Sequence, residues 1–485
     1  MIFNSTEFLV FFTVIFTVYF VLPSKFRWIF LLISSYLFYG YSNVINIFYL
    51  LIPTIIVWFL SLRVGLIKNK VKRKIVFTIS IISSISFLLY FKYTDFFLKT
   101  LNSIGDFSGI QIKFTLPGLL IPMGISFFSF KLVSYSADVF LGKIKPEKHF
   151  GYFALYVSFF PQILMGPIER AGNFLPELRK TINFDIERII KNLQLVAWGL
   201  FKKIVIADRL SVFVNDVFAS PENQGINLLF GLYFYAIQIY CDFSGYSDIA
   251  IGIARILGFR SMENFNFPYF SRNIRDFWNR WHISLSTWLR DYLFLPIAYS
   301  TSRKLKKEKY IKIKSDYIMY GTGMFITMFI GGLWHGASWT FVIWGMLHGI
   351  FLIVGYSTKK VKKKVFKKLK IIRLKKIKDI LSIFITFNLV SFAWIFFRSE
   401  SFTKAIQYLK MINLKVQSSG IGHLKLNIIF VIVFLSIEYT LKKIDARNGD
   451  KSFPIGLRAV FLAFTICIIL LLSVDSSNEF IYMRF

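Results

Sequence analysis

Cysteine and acidic residues are scarce in this chain. Only two of its 485 residues are cysteines, Cys241 and Cys467, and both lie within apolar stretches. Neither a disulfide framework nor a cysteine-based metal site can be built from them. Charged residues make up 18% of the chain, whereas an ordinary soluble domain carries roughly 25%. These shortages exclude a disulfide-rich secreted domain and argue against a surface that faces water.

Apolar and aromatic residues are abundant instead. Hydrophobic residues make up 55% and aromatic residues 19% of the chain, and the mean hydropathy is +0.57. A soluble enzyme of this size would leave much of that apolar surface in water, and a disordered chain would have far less to bury. We therefore expect a membrane protein whose apolar side chains face lipid and each other.

The charge is strongly unbalanced and lies in the gaps between apolar runs. There are 59 Lys and Arg residues against 26 Asp and Glu residues, a net charge of +33. Short basic loops beside spans typically face the cytoplasm and attract anionic lipid. No aromatic-basic groove motif accompanies them, so we do not expect nucleic acid as a partner. The segments that we place on the cytoplasmic side are 63–74, 142–149, 303–314 and 359–378.

The apolar runs predict the fold class. They lie at about 6–22, 28–42, 45–62, 75–92, 115–135, 151–167, 190–215, 226–258, 317–356, 379–397, 426–441 and 456–474. Several are shorter than the roughly 20 residues that a spanning helix needs. We expect an all-α polytopic membrane protein with about eleven transmembrane helices and further re-entrant or interfacial helices.

The organisation of these runs favours one membrane-embedded domain over residues 1–485. The first run lacks a basic leading region and a small-residue cleavage site, so we interpret it as a retained span rather than a signal peptide. Segment 226–258 is either one long helix or a broken one. Segment 317–356 predicts a helical pair that turns near Gly336 and has both ends on the cytoplasmic side.

A histidine stands inside that helical pair. The sequence GGLWHGASWTFVIWGMLHG (331–349) surrounds His335 with glycines, which let a helix break at mid-depth or let another backbone approach closely. A neutral imidazole can take a proton from a hydroxyl or pass one on. The alternative is a histidine satisfied by a serine or a carbonyl in a helix contact, and the two interpretations stay open. For His348 we favour that structural alternative.

A second polar constellation lies at RDFWNRWHISLSTWLRDYLFLPI (275–297). On a helical wheel its Phe, Trp, Leu and Tyr residues from 277 to 292 form one apolar stripe, which predicts an interfacial or re-entrant helix. His282 lies at the edge of the stripe. The Arg and Asp residues at both ends predict internal salt bridges or a clamp for a polar acyl donor. The residues assigned to the donor region are Trp288, Arg290 and Asp291.

A third region, IQIYCDFSGYSDIAIG (237–252), places Asp242 and Asp248 in an apolar setting. They are six residues apart and do not share a helical face unless Gly245 breaks the helix. No third carboxylate is near in sequence, so structural capping around Gly245 is favoured over a metal site. We expect no bound metal.

These motifs together resemble the membrane-bound O-acyltransferase family. The strings RDFWNRWHISLSTWLRDYL and GGLWHGASWTFVIWGMLHG are most similar to the bacterial branch that acetylates alginate and related polysaccharides. The resemblance is concentrated in a core of about 115–356 and includes PMGISFFSFKLVSYSADVF (122–140), SFFPQILMGPIERAGNFLPEL (158–178) and QIYCDFSGYSDIAIG (238–252). It identifies His335 as the family's central histidine and His282 as its second polar position. The chain departs from the branch after Pro296, where Ala298-Tyr299-Ser300 replaces a frequent Gly-Gly turn.

The resemblance implies a membrane O-acetyltransferase of the cell membrane. Acetyl-CoA would be the cytoplasmic donor, with no tightly bound cofactor, and an extracytoplasmic polysaccharide such as an alginate-like polymer or peptidoglycan would be acetylated. A partner protein resembling SGNH hydrolases would complete delivery. Chemically, a thioester supplies the leaving group and His335 is the candidate base, with His282 polarising the carbonyl or orienting the acceptor. Backbone N–H groups near 331–336 are candidate donors to the oxyanion.

Three other functions remain as alternatives. D-alanyl transfer to teichoic acid belongs to the same family and shares the FW-x-RWH core. A transporter with broken helices would carry matching interrupted segments in two halves of the chain, and the histidine motifs occur only once. A non-catalytic scaffold of a polymer-export complex would make both histidines dispensable.

Overall fold

The computed structural model describes residues 1–109, 113–222, 224–311, 313–359, 361, 375–413, 415, 421–444, 455–473 and 480–484. The α-helices, numbered in chain order, are α1 Thr6–Val21, α2 Ser24–Gly40, α3 Ile45–Leu66, α4 Lys70–Leu88, α5 Thr94–Ser108, α6 Ile125–Phe140, α7 Phe150–Ser158, α8 Ala171–Glu177, α9 Ile186–Leu200, α10 Asp208–Ala219, α11 Asn227–Ile256, α12 Ile274–Trp278, α13 Ile283–Leu289, α14 Leu295–Lys304, α15 Ser315–His335, α16 Trp339–Ser357, α17 Lys375–Arg398, α18 Phe402–Met411, α19 Ile421–Ile444 and α20 Ile455–Leu472.

Shorter elements connect these helices. Among the described residues, three segments have π-helical geometry: Leu89–Tyr93, Phe201–Ala207 and Arg290–Phe294. In the same part of the chain, 3₁₀ turns lie at Pro268–Phe270 and Ile481–Arg484. A small antiparallel hairpin of β1 (Lys309–Tyr310) and β2 (Ile313–Lys314) pairs Lys309 with Lys314 and Tyr310 with Ile313.

Seven helices of the described residues are long and apolar enough to cross a membrane, judged by length and composition. They are Ile45–Leu66, Lys70–Ser108, Ser315–His335, Trp339–Ser357, Lys376–Arg398, Leu424–Lys443 and Ile455–Leu472, and the shorter Thr6–Val21 is also apolar. Large apolar side chains on these helices are exposed, among them Phe464 and Leu470, as expected of surfaces that face lipid. The prediction of an all-α polytopic membrane protein is confirmed, and the number of about eleven spans stays a prediction.

Local sequence explains where several helices begin. Ser5 accepts a hydrogen bond from the Phe8 N–H at the start of α1, and Asn69 accepts two from Val71 and Lys72 at the start of α4. Such caps satisfy N–H groups that have no partner within the helix. Ser5 and Asn69 therefore determine where α1 and α4 begin.

The chain divides into two compact units. The first comprises Met1–Ala197, Tyr246–Met262 and Tyr482–Arg484, and the second comprises Trp198–Gly245, Glu263–Ile481 and Phe485. The interpretation of residues 1–485 as one domain stays a prediction.

The first unit contains a buried cluster of polar side chains from the motifs 122–140 and 158–178. The Lys131 ammonium, 1% exposed, donates to the Tyr156 carbonyl at 3.0 Å and to Gln162 Oε1 at 3.1 Å. Gln162 in turn donates to Ser261 Oγ at 3.3 Å. A buried charge is tolerated when polar atoms surround it. These hydrogen bonds therefore connect α6 with α7 and with the segment that follows α7.

Two expectations about helices are now decided. The helical pair predicted in 317–356 is confirmed as α15 and α16, which turn at Gly336. Segment 226–258 forms one continuous helix, α11, so the prediction of capping around Gly245 is wrong. Gly245 serves close packing instead, because a Cβ at this position would lie 2.7 Å from the Gly199 carbonyl oxygen.

The basic loops generate a topology prediction. Segment 359–378 lies largely outside the described residues. The test therefore uses the basic segment 303–314, in which Lys307 is exposed beside β1. In a variant without native cysteines, Lys307→Cys should react with a membrane-impermeant maleimide only after the cells are permeabilised. Ala337→Cys, in the turn between α15 and α16, should be labelled from outside. Labelling of Lys307→Cys in intact cells would contradict the proposed orientation.

Candidate active site

The turn between α15 and α16 positions the first candidate residue. His335 is the last residue of α15, Gly336 continues in an extended conformation, and the Ser338 side chain accepts a hydrogen bond from the Thr340 N–H to start α16. Gly331 and Gly332 lie inside α15. Of the two effects expected of these glycines, a helix break is therefore not found at either residue, and the backbone changes direction only after His335.

The glycines allow α15 and α16 to touch. A Cβ at Gly345 would lie 2.9 Å from the Gly332 Cα and against the Met328 carbonyl oxygen. A Cβ at Gly332 would lie 3.2 Å from the Gly345 Cα. Small residues let helix backbones approach closely in membranes, where van der Waals contact drives helix association. This crossing fixes where the side chains at the end of the hairpin lie.

His335 is enclosed by aromatic rings. Its side chain is 3% exposed, and its ring centroid lies 4.8 Å from Trp344, 5.0 Å from Trp334 and 5.4 Å from Phe397. All three contacts are edge-to-face, a favourable geometry for aromatic pairs. The rings restrict rotation of the imidazole and exclude water, which strengthens electrostatic interactions at this position.

His282 lies in a loop, not in a helix. The prediction of one helix that carries the apolar stripe within 275–297 is wrong, because α12 ends at Trp278 and His282 has a positive φ of 42° before α13 begins. Two backbone hydrogen bonds hold this bend: Asn266 N–H donates to the Arg280 carbonyl, and Ile283 N–H donates to the Asn264 carbonyl. The positive φ is unusual for a residue with a side chain and indicates that these contacts determine it.

The tautomer of His282 is fixed by its hydrogen bonds. Its Nδ1 lies 3.0 Å from Asn264 Oδ1, which also accepts from the N–H and the hydroxyl of Ser284. Because an amide oxygen can only accept, Nδ1 carries the proton and Nε2 presents its lone pair. Burial lowers the pKa of His282 to about 3, so this imidazole is neutral at ordinary pH. It can accept a hydrogen bond from a hydroxyl, whereas polarising a carbonyl would need an N–H at Nε2.

The two predicted histidines lie on either side of Trp334. The His282 and Trp334 ring centroids are 5.8 Å apart, and those of Trp334 and His335 are 5.0 Å apart. Residue 282 lies in the loop before α13 and residue 335 ends α15, far apart in sequence, so tertiary packing brings them together. Neither Asn264 nor Trp334 was predicted as a site residue: Asn264 lies outside the quoted motifs, and Trp334 lies within 331–349 but has no ionisable group that would single it out.

The residues assigned to the donor region are placed near one another but differ in burial. Trp288 is 4% exposed and contacts Tyr292 at a ring distance of 5.2 Å. Arg290 is largely exposed, and its Nε donates to Asp291 Oδ1 at 2.7 Å. The predicted internal salt bridges are confirmed here and between Arg280 and Asp276 at 2.8 Å. A role of these residues in holding a donor stays a prediction.

Asp242 belongs to an ion-pair cluster. The Lys203 ammonium, 1% exposed, lies 2.8 Å from Asp208 Oδ1 and 2.9 Å from Asp242 Oδ1. Lys202 donates to Ser244 Oγ at 2.8 Å. Both lysines are buried and lie in the π-helical segment Phe201–Ala207. Across the part of the chain that the structure describes, no group of three His, Cys, Asp or Glu residues could hold a metal ion.

Comparison with known proteins identifies the family of this chain. Residues 4–397 match the model of MBOAT, the membrane-bound O-acyltransferase family. The chain is 33% identical to the probable alginate O-acetylase AlgI of Pseudomonas aeruginosa, over 83% of this chain and 72% of that protein. It is 32% identical to the peptidoglycan O-acetyltransferase of Helicobacter pylori, over 78% of this chain and 72% of that protein. The teichoic acid D-alanyltransferase of Bacillus subtilis is 30% identical, over 58% of this chain and 69% of that protein.

The helix crossing generates a prediction with a matched control. Gly345→Ala should destabilise the protein by about 1–3 kcal/mol, because the added methyl group overpacks the contact with Gly332. Gly355→Ala lies on the same helix, where a Cβ would meet nothing within 4 Å, and should be tolerated. Thermal unfolding of the purified variants in detergent measures both. Equal melting temperatures would show that the close crossing does not stabilise the fold.

Proposed function

The chain belongs to the membrane-bound O-acyltransferase family, and on this premise we propose that it transfers an acetyl group from cytoplasmic acetyl-CoA for O-acetylation of an extracytoplasmic polysaccharide. An acyltransferase activity follows from the family and from the named O-acetyltransferases among its relatives. The acetyl donor, the polysaccharide acceptor and the cytoplasmic (inner) membrane as location are our proposals. They are supported by the alginate and peptidoglycan enzymes that the chain resembles.

The observation that carries the proposal is the enclosed pair of His335 and His282 around Trp334. In the reaction, the His335 imidazole takes the proton of an acceptor hydroxyl as the oxygen attacks the thioester carbonyl. Collapse of the tetrahedral intermediate breaks the carbon–sulfur bond, and the leaving thiolate receives the proton from the imidazolium. No net proton is released, so a buried base returns to its neutral form after each turnover.

His282 is proposed to orient the acceptor. Its Nε2 lone pair suits a hydroxyl donor, and its depressed pKa makes it a poor base. Of the two roles considered for this residue, orientation of the acceptor is therefore the one that its hydrogen bonds support. The acceptor hydroxyl belongs to the sugar or to a serine of a partner protein that resembles SGNH hydrolases.

The oxyanion donors must be sought outside α15. The N–H groups of Gly331 and Gly332 lie within the helix and are committed to its hydrogen bonds. The expectation that they stabilise the oxyanion is therefore wrong for these two residues.

D-alanyl transfer remains the second candidate, because teichoic acid D-alanyltransferases are among the relatives. It uses the same attack of a hydroxyl on an acyl thioester, so the histidines would keep their roles. The two functions differ in the acyl group, since D-alanine brings an ammonium that the aromatic rings around His335 would have to accommodate.

His335→Ala tests the proposed chemistry. General-base catalysis contributes about 10²–10⁴ in rate, so the variant should retain about a hundredth or less of the acetyl transfer. The protein should still be inserted and folded, because α15 and its glycine contacts are unchanged. The ester-linked acetate on the surface polysaccharide, released by mild base and compared with the protein level, measures the effect.

His149→Asn is the control, since this half-exposed histidine caps α7 and asparagine preserves the cap. It should keep normal acetylation. If the polymer of the His335→Ala strain carries as much ester-linked acetate as that of the wild type, only the scaffold function would remain. D-alanyl esters on the wild-type polymer, without acetate, would redirect the assignment to the second candidate.

A further inference from the structure

The hairpin of β1 and β2 has no role in the proposed function. It joins α14 to α15 and lies in the basic segment 303–314, which follows the point where the chain departs from its bacterial relatives after Pro296. Ala298 of α14 packs against Gly323 of α15, where a Cβ on the glycine would lie 3.6 Å from the Ala298 Cβ. Because α15 is apolar enough to cross the membrane and begins at Ser315, the hairpin lies at a membrane surface.

The base of the hairpin is held by hydrogen bonds within this segment. The Tyr310 hydroxyl accepts from the Lys306 N–H at 2.8 Å and from the Lys307 N–H at 3.1 Å. The Ser315 N–H donates to the Glu308 carbonyl oxygen at 2.9 Å. These bonds join the hairpin to the loop after α14 and to the start of α15. The hairpin therefore has a defined conformation before anything binds to it.

The turn of the hairpin exposes apolar side chains. Ile311 follows Tyr310 in the turn and is 96% exposed, and Ile313 on β2 is 52% exposed. Ile311 also has a positive φ of 44°, which is an outlier for a β-branched residue. Backbone strain of this kind is concentrated at sites that bind or switch. An isoleucine side chain is unfavourable in water and favourable in the acyl region of a bilayer.

Basic side chains flank this apolar turn. The strand register pairs Lys309 with Lys314, and like charges directly opposite each other destabilise a hairpin. Glu308 is the only carboxylate in segment 303–314. Across the described parts of the chain, no carboxylate forms an ion pair with the six exposed cations of this segment: Arg303, Lys304, Lys306, Lys307, Lys309 and Lys314. The hairpin therefore attracts anions from outside the protein.

The combination of charge and apolar surface indicates which anions these are. Interfacial segments place apolar side chains among acyl chains while the ammonium groups of lysines stay at the level of the phosphates. The hairpin continues directly into α15, so the surface of the leaflet lies beside it. A soluble acidic protein would match the charge of Lys309 and Lys314 but would leave Ile311 in water.

We propose that the hairpin of β1 and β2 docks on the anionic leaflet that α15 enters, with Ile311 among the acyl chains and Lys309 and Lys314 on lipid phosphates. The phosphates supply the negative charge that this pair of lysines lacks within the protein. The contact anchors the start of α15, whose other end carries His335. The proposal does not depend on the identity of the acyl donor or of the acceptor polymer.

A nitroxide label at position 311 tests the proposal. Ile311→Cys, in the full-length protein without native cysteines, is labelled and reconstituted in vesicles of equal parts phosphatidylcholine and phosphatidylglycerol. The label should collide more often with oxygen, which is concentrated in the bilayer, than with a water-soluble nickel chelate. Glu308→Cys is the control at the exposed base of the same hairpin, and its label should collide more often with the nickel chelate.

The contribution of the lysines is measured with the same label. Each basic residue near an anionic surface favours the bound state about fivefold, so Lys309→Gln with Lys314→Gln should shift the label about twentyfold towards water. Lys68→Gln with Lys70→Gln removes the same charge from exposed positions of the basic segment 63–74 and should leave the label at 311 in the bilayer. Vesicles of phosphatidylcholine alone should have the same effect as the loss of Lys309 and Lys314.

Three results would overturn the proposal. Equal nickel accessibility at 311 and 308 in the phosphatidylglycerol vesicles would place the turn in water. A label at 311 that lies equally deep in phosphatidylcholine alone would show that anionic headgroups do not hold the hairpin. Protection of the label from both oxygen and the nickel chelate would show that a protein, either a second copy of this chain or another partner, covers the turn.

Discussion

The backbones of α15 and α16 touch at Gly332 and Gly345, and the arrangement of the second unit around His335 depends on that contact. With no side chain at either position, the two helices approach until their backbone atoms meet. His335 at the end of α15 and Trp344 on α16 are thereby brought within 4.8 Å of each other. A larger residue at the crossing would separate the helices and with them the rings that enclose the imidazole.

In the second unit, the two histidines lie among neutral groups, and the buried charged side chains form a separate cluster. His335 and His282 lie among aromatic rings; burial lowers the pKa of His282 and keeps it neutral, and the Asn264 side chain determines its tautomer. The charged side chains of Lys203, Asp208 and Asp242 form their own buried ion pairs. An ion placed among the aromatic rings would lack such partners and would be costly. The surroundings thus favour chemistry in which an imidazole becomes charged only transiently.

Sequence reasoning predicted the features that depend on composition and local pattern. The membrane class, the hairpin that turns at Gly336 and the Arg–Asp pairs follow from apolar runs, glycine and short-range charge spacing. The loop at 279–282 was missed, because its positive φ depends on hydrogen bonds to Asn264 and Asn266, which lie outside the helical wheel. The paired burial of Lys202 and Lys203 was missed for a related reason. Their partners Asp242 and Ser244 lie about forty residues further along the chain, where a local pattern does not reveal them.

The central claim is that an acyl group passes from a cytoplasmic donor, by way of His335, to an acceptor on the opposite side. Proteoliposomes with the basic loops facing outward, external acetyl-labelled acetyl-CoA and an enclosed polysaccharide acceptor test it directly. The account predicts labelled ester on the enclosed polymer while the coenzyme stays outside. Labelling that requires donor and acceptor in the same compartment would contradict it.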